Sequence, residues 1–244
     1  GTPALASMLL NEIRKITKLP IRKVIVSHYH ADHIYGLQIF KEEGAEILAP
    51  AGVAAYLEAD STKARLQERR VSLSPWVNDK TVVVAPDRYL NESEKFSLGG
   101  VDFTVSVLGS AHSEGDLTLF VEPDKVLFSG DVIFDGRIPW LGDADTVNWL
   151  ATLNTIKAAK PAAIIPGHGG LSSDPAALIR LTHDYLEFVR AKMKSAVENW
   201  VPFDDAYDDV DWGDYEYLAA FFVANRRNAY QVYLSLEQES LNSN

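Results

Sequence analysis

The chain has 244 residues, 47% apolar and 23% charged, enough for one large α/β domain with its own core. Its formal net charge of -11 repels phosphate backbones and argues against nucleic acid as a partner. There is no cysteine, which excludes disulfides, thiolate nucleophiles and sulfur metal ligands, and no apolar run is long enough to span a membrane.

Gly1-Thr2-Pro3 reads as the opening of a helix rather than a natural N-terminus, with room for a leader and further structure upstream. Thr2 is an N-cap and Pro3 the first helical residue. Leu5, Met8, Leu9, Ile13 and Ile16 follow at helical spacing, so residues 3–17 are predicted as an amphipathic helix. Residues 21–27 (IRKVIVS) read as a buried strand, 34–43 as a helix closed by Gly44, and 46–49 as a second strand. This strand–helix–strand order is that of a parallel crossover.

Residues 51–79 break the rhythm, with a helix predicted over 54–70 and a loop at Ser74-Pro75-Trp76. Short strands follow at 81–84, 95–96, 101–107, 117–121 and 125–128, punctuated by Gly99-Gly100 and Pro123-Asp124. Asp145-Thr146 caps a helix to about residue 159, and 162–165 is one more strand. Asp174-Pro175 opens a long helix with Leu178, Leu181, Tyr185, Phe188 and Val189 on one face. Beyond Trp200 the chain is acidic and aromatic, with helices predicted at 214–223 and 226–238. Its aromatic residues (Trp200, Phe203, Tyr207, Trp212, Tyr215, Tyr217, Phe221, Phe222) read as a packing seam. The pairs Arg69-Arg70 and Arg226-Arg227 read as solvated faces.

The chemistry is concentrated at His28-Tyr29-His30-Ala31-Asp32-His33, directly after the first strand. The whole chain has six histidines, so this density is far from chance. Imidazole and carboxylate suit zinc, iron or manganese where thiolate is absent. The spacing favours two ions: His28 and His30 project the same way in an extended segment, and Asp32 and His33 turn toward a second ion. His112, Asp131 and His168 each follow a later strand, beside small residues that let the backbone approach a crowded centre. His183 lies mid-helix and reads as structural or exposed.

His28-Tyr29-His30-Ala31-Asp32-His33, then His112, Asp131 and His168 in that order, resemble the metallo-β-lactamase superfamily over residues 1 to about 190. The resemblance implies a four-layer αββα sandwich with metals at one edge of its two sheets. It implies that His28, His30 and His112 hold a first metal, Asp32, His33 and His168 a second, and that Asp131 bridges them. It implies two zinc ions, with iron or manganese as substitutes. Ser129-Gly130-Asp131, Gly136-Arg137-Ile138-Pro139 and Gly142-Asp143-Ala144-Asp145 are similar to a SoxH-like, quinoprotein-associated group of bacterial zinc hydrolases, which favours a periplasmic protein. Residues 1–200 are expected to form the sandwich, without the family's opening β-hairpin, and 201–244 a C-terminal helical extension. A sheet short of its edge strands would leave oligomers open.

The expected activity is metal-dependent hydrolysis of a small ester, thioester, lactone or lactam-like molecule. Two cations about 3.5–4 Å apart generate a hydroxide near neutral pH, and Asp32 orients it and shuttles a proton. Tyr35, Arg137 and Trp140 are candidates for the substrate pocket; an ion pair of Arg137 with Asp135 or Asp143 is an equal alternative. Clinical β-lactamases of the first subclass carry cysteine where Asp131 stands and lysine where Phe134 stands, so the resemblance does not extend to their substrate-carboxylate anchor. Competing readings are a β-lactamase proper, a flavodiiron-like redox protein, which would need glutamate in place of His30, a nucleic-acid-processing enzyme and a non-catalytic scaffold.

Overall fold

In the computed structural model, which describes residues 1–57 and 61–242, the first helix is the one the capping residues specify. Helix α1 spans Pro3–Ile16, with the Thr2 hydroxyl accepting from the Leu5 N–H and Arg14 and Lys15 in the last turn, where they complement the carbonyl end of the helix. Strand β1 (Lys23–Ile25) follows. The predicted helix over 34–43 is two short helices, α2 (Ala31–Ile34) and α3 (Leu37–Glu42). Gly36 divides them where α1 passes: a Cβ there would stand 2.8 Å from the Ala6 Cβ. Strand β2 (Glu46–Pro50) runs parallel to β1, with Val24 opposite Ile47. Helices α4 (Val53–Leu57) and α5 (Ser61–Ser72) fill most of the span predicted as one helix; residues 58–60 lie outside the described residues.

The third parallel strand is β3 (Arg88–Leu90), not 81–84. The physical reason is a side chain. The Gln38 amide accepts from the Val82 N–H at 3.0 Å and donates to the Lys80 carbonyl at 3.3 Å, so this backbone is satisfied without a ladder. The Asp87 carboxylate accepts from the Ile47 N–H at 2.9 Å and pairs with Lys41, which brings Arg88 onto β2. These strands surround a core of Val26, Ile34, Leu37, Ile47, Val53 and Val77.

The second sheet has the order β4 (Glu94–Leu98), β5 (Val101–Gly109), β6 (Asp116–Val121), β7 (Val126–Phe134) and β8 (Ala163–His168). Strands β7 and β8 are parallel, and their register slips twice, between Phe128 and Gly130 and between Gly130 and Phe134. Helix α6 (Thr146–Ala159) is capped by the Asp145 carboxylate, which accepts from the Val147 and Asn148 N–H groups. Helix α7 (Pro175–Glu198) buries Leu178, Ile179, Tyr185, Leu186, Val189 and Met193. Helix α8 (Phe203–Asp208) precedes α9 (Phe221–Asn242), one continuous helix where two were predicted. None of the described helices is long and apolar enough to cross a membrane.

The chain divides into two compact units: Gly1–Lys95 with Thr104–Gly109 and Gly115–Leu119, and Phe96–Phe103 with Ser110–Glu114 and everything from Phe120. Within the second, α9 is joined to α7 and to the loop after β7 by a buried polar network. The Asn228 amide donates to the Pro139 carbonyl and the Tyr185 hydroxyl and accepts from the Leu141 N–H, while Tyr185 donates to Asn225. Ala219 pairs with the same loop through the Gly136 carbonyl and the Ile138 N–H. The tail forms the expected aromatic seam at Phe188, Tyr207, Trp212, Tyr215 and Phe221. Trp200, Tyr217 and Phe222 are exposed, and of these Phe222 still meets Phe221 edge-on at 5.3 Å. The arginine pairs are not plain solvated faces. Arg226 pairs with Asp204 and Asp208, and Arg70 donates to the Asn78 and Thr81 carbonyls.

Asn228 is fully buried, so Asn228→Ala leaves the Leu141 N–H and Pro139 carbonyl without their partner. The expected loss is about 1–3 kcal/mol in urea unfolding, and a change under about 0.5 kcal/mol would show the network to be dispensable. The Lys41 hydrogen bond, then the Ile47 N–H, holds the Asp87 carboxyl below its ordinary 3.8. A depressed carboxyl stabilises fully above its unfolded value and loses this as pH falls through the folded one. Asp87→Asn should therefore show a shallower loss of stability below pH 3.8 than the parent, read as urea midpoints across that range.

Candidate metal centre

In the first unit the donors cluster where β1 gives way to α2. His28 is fully buried, and His30, in an extended conformation, is the residue before the first turn of α2. Asp32 and His33 fall in that turn, so four side chains leave a very short stretch of backbone in convergent directions. His28 Nε2 and His30 Nδ1 are 3.0 Å apart, and the His33 ring lies 4.2 Å from that of His28. His33 Nε2 is 3.4 Å from an Asp32 carboxylate oxygen. On its far side, His28 Nδ1 is 3.1 Å from the Ser27 hydroxyl, a contact that fixes the ring and leaves Nε2 as the ligand atom.

In the second unit His112 occupies the bend after β5 and is fully buried. Asp131 is inside β7 and His168 is the last residue of β8, whereas the sequence placed both in loops. Asp131 Oδ2 lies 3.6 Å from His112 Nε2 and 3.3 Å from His168 Nε2, so one carboxylate oxygen faces two imidazoles. This closeness depends on Gly167. A Cβ there would overlap Asp131 Oδ1 and stand 2.8 Å from the Gly130 carbonyl carbon. The Asp135 N–H donates to the His168 carbonyl and holds the strand end.

Aromatic rings wall this set. Phe134 stacks on His168 at 5.8 Å with planes 6° apart and meets His112 edge-on at 5.7 Å. Trp149 meets His112 at 5.3 Å and donates its indole N–H to the Val132 carbonyl. Ser27, Phe134, Trp149 and Gly167 were not singled out as site residues by the sequence. The one local signal was the Gly-His-Gly context of residue 168.

The donors in both units fit zinc. Two nitrogens each about 2.0–2.1 Å from a tetrahedral ion are about 3.3 Å apart, close to the His28–His30 separation. All seven donors are nitrogen or oxygen, and His28, His112 and Asp131 are buried from solvent.

The substrate-pocket candidates fare differently. Tyr35 is 1% exposed and packed in the first unit's core, not on an open surface, and burial pushes its phenol well above the ordinary 10. Trp140 is half-buried with the Arg227 guanidinium 4.6 Å above its ring. Arg137 is half-buried with its guanidinium 5.8 Å from the Phe134 ring centre. His183 sits on α7 beside Asp184 and Glu187, away from either donor set in sequence and paired locally.

The family model described as the metallo-beta-lactamase superfamily matches residues 1–168. The chain is 31% identical over 174 residues to the acyl-coenzyme A thioesterase MBLAC2 of Gallus gallus, covering 66% of this chain and 61% of that protein. The solved sec-alkylsulfatase Pisa1 from Pseudomonas sp. aligns with TM-score 0.76 at 17% identity, over 96% of this chain and 44% of its own. A metallo-beta-lactamase from Pontibacter korlensis aligns with TM-score 0.59 at 20% identity, over 74% of this chain and 76% of its own. These likenesses show the fold, the expected α/β sandwich with two sheets. The chain spans about six-tenths of the length of the curated relatives it matches.

Gly167→Ala tests the close approach to Asp131. The added methyl must push β8 from β7, at an expected cost of about 1–3 kcal/mol. A variant melting with the parent would show that the approach is not required.

Proposed function

The chain belongs to the metallo-β-lactamase superfamily, and we propose that it is a metal-dependent hydrolase of a small ester, thioester, lactone or lactam-like substrate. The observation that supports this most is the gathering of nitrogen and oxygen donors alone in each unit: His28, His30, Asp32 and His33 in one, His112, Asp131 and His168 in the other. In this reading His28, His30 and His112 hold one zinc ion, Asp32, His33 and His168 a second, and Asp131 lies between them. Such ions supply Lewis acidity toward a carbonyl-type oxygen and a water acidified to near-neutral pKa.

The rest is done by side chains. Ser27 keeps the His28 ring turned, and Gly167 lets Asp131 reach both imidazoles of its own unit. Asp32, with its side chain about half exposed, is the proton carrier: its carboxylate takes a proton from the attacking water and returns one to the leaving group. Phe134 and Trp149 exclude water from the buried face of His112. A small-molecule substrate and a periplasmic location remain part of the proposal on the resemblance alone.

A sulfate ester is a second reading, favoured by one observation. The alkylsulfatase fold extends over 96% of this chain, C-terminal helices included, against 74% for the Pontibacter β-lactamase. Phe134, in place of the lysine of the first β-lactamase subclass, weighs against a β-lactamase proper.

The test is a panel of ester, thioester, lactone, sulfate monoester and nitrocefin substrates with the zinc-loaded chain, alongside elemental analysis. Turnover of at least one class and about two ions per chain are expected. Asp32→Ala with verified metal should lose activity by about 10²–10⁴-fold. Intact turnover in that variant, or far fewer than two ions in the parent, would sink the scheme.

A further inference from the structure

The loop after β7 carries a cation whose surroundings call for an anion. Arg137 Nε is buried and has no hydrogen-bond partner. Asp135, the adjacent carboxylate, accepts from the Gly170 N–H instead, and no ion pair joins Arg137 to a carboxylate among the described residues. A buried Nε–H left in this condition loses its hydration without recovering it, a cost that an oxyanion reaching it through the half-buried guanidinium removes. The Arg137 Cζ lies over the Phe134 ring, 5.8 Å from the ring centre, and Phe134 in turn stacks on His168. The cation thus stands one aromatic ring from a candidate metal ligand.

The loop is also held still. Ala219 pairs with the backbone on both sides of Arg137, through the Gly136 carbonyl and the Ile138 N–H. The buried Asn228 amide takes the Pro139 carbonyl and the Leu141 N–H, and Arg227 covers Trp140. A guanidinium on a loop fixed at this many points loses little freedom on binding, which favours affinity.

We propose that Arg137 is the residue that binds the oxyanion head, sulfate or carboxylate, of this protein's substrate, and that α9 and Ala219 position it. The planar fork of arginine matches two oxygens of either group. This inference rests on the hydrolase reading only in calling the ligand a substrate; the oxyanion site itself stands on the loop.

The experiment is calorimetric binding of hexyl sulfate, hexanoate and hexanol to the parent, Arg137→Ala and Arg137→Lys. It is done on chain stripped of metal by chelator and again after zinc loading, with melting curves to verify folding. The parent should bind at least one anion about tenfold or more tightly than the alcohol in both states, roughly the worth of one charge-assisted hydrogen bond. Arg137→Ala should erase that preference and Arg137→Lys should keep part of it. The ranking of the two anions identifies the head group. A parent without anion preference, or an alanine variant that keeps it, overturns the inference. Lysine keeps a long stem and the positive charge but not the fork, so an undiminished preference in that variant overturns the fork geometry even if alanine does not fold. Absence of turnover on every ester would count against the hydrolase reading, while the metal-free binding arm would still decide the role of Arg137.

Discussion

Where Gly167 passes Asp131, the two backbones are too close for any side chain on the glycine. The approach follows from the double register slip between β7 and β8, which turns Asp131 toward the imidazoles of His112 and His168 while both strands continue. Irregularities of this kind re-aim single side chains without ending a sheet. Once Asp131 is set there, Phe134 falls opposite His168 in the ladder and its ring becomes the wall for both histidines. The loop with Arg137 starts just after that ring. Two of the second unit's donors, the Phe134 wall and the cation therefore descend from a single close approach of two parallel strands.

The first unit works with less. A short strand stops, and the few residues through His30 and one helical turn deliver four ligand-type side chains. No long-range contact is needed to bring them together, which is why this half of the candidate site was readable from the order of residues alone. His112, Asp131 and His168 were also found, but their settings were not. The apolar run that signals the strand stops at residue 128, and a strand that slips register and continues to Phe134 leaves no periodic trace. Trp149 and Phe134 belong to the wall through contacts made across the fold, and nothing in their local sequence distinguishes them from ordinary core aromatics.

The same distinction explains the secondary structure. Helices opened by Thr2, Asp145 and Asp174 began where their caps predicted, because an N-cap acts within one turn. Thr81 to Val84 had the composition of a strand, yet Gln38, distant in sequence, satisfied that backbone first. Tyr35 followed the metal motif closely enough to suggest contact with substrate, but the first turn of α2 carries it into the core. Proximity in sequence to a ligand is a weak guide to which face of the chain a neighbour occupies.

Asn228 has a further consequence, for the order in which the chain matures. Its amide mimics a peptide group, completing hydrogen bonds for a loop that was synthesised 87 residues before it. At about 5–20 residues per second, translation leaves that loop without its anchor for several seconds after it is made. Over that interval Arg137 and Trp140 have their sequence but not their final geometry. The last long helix therefore acts as a clock: the anion-facing loop takes shape only when nearly all of this sequence has been translated.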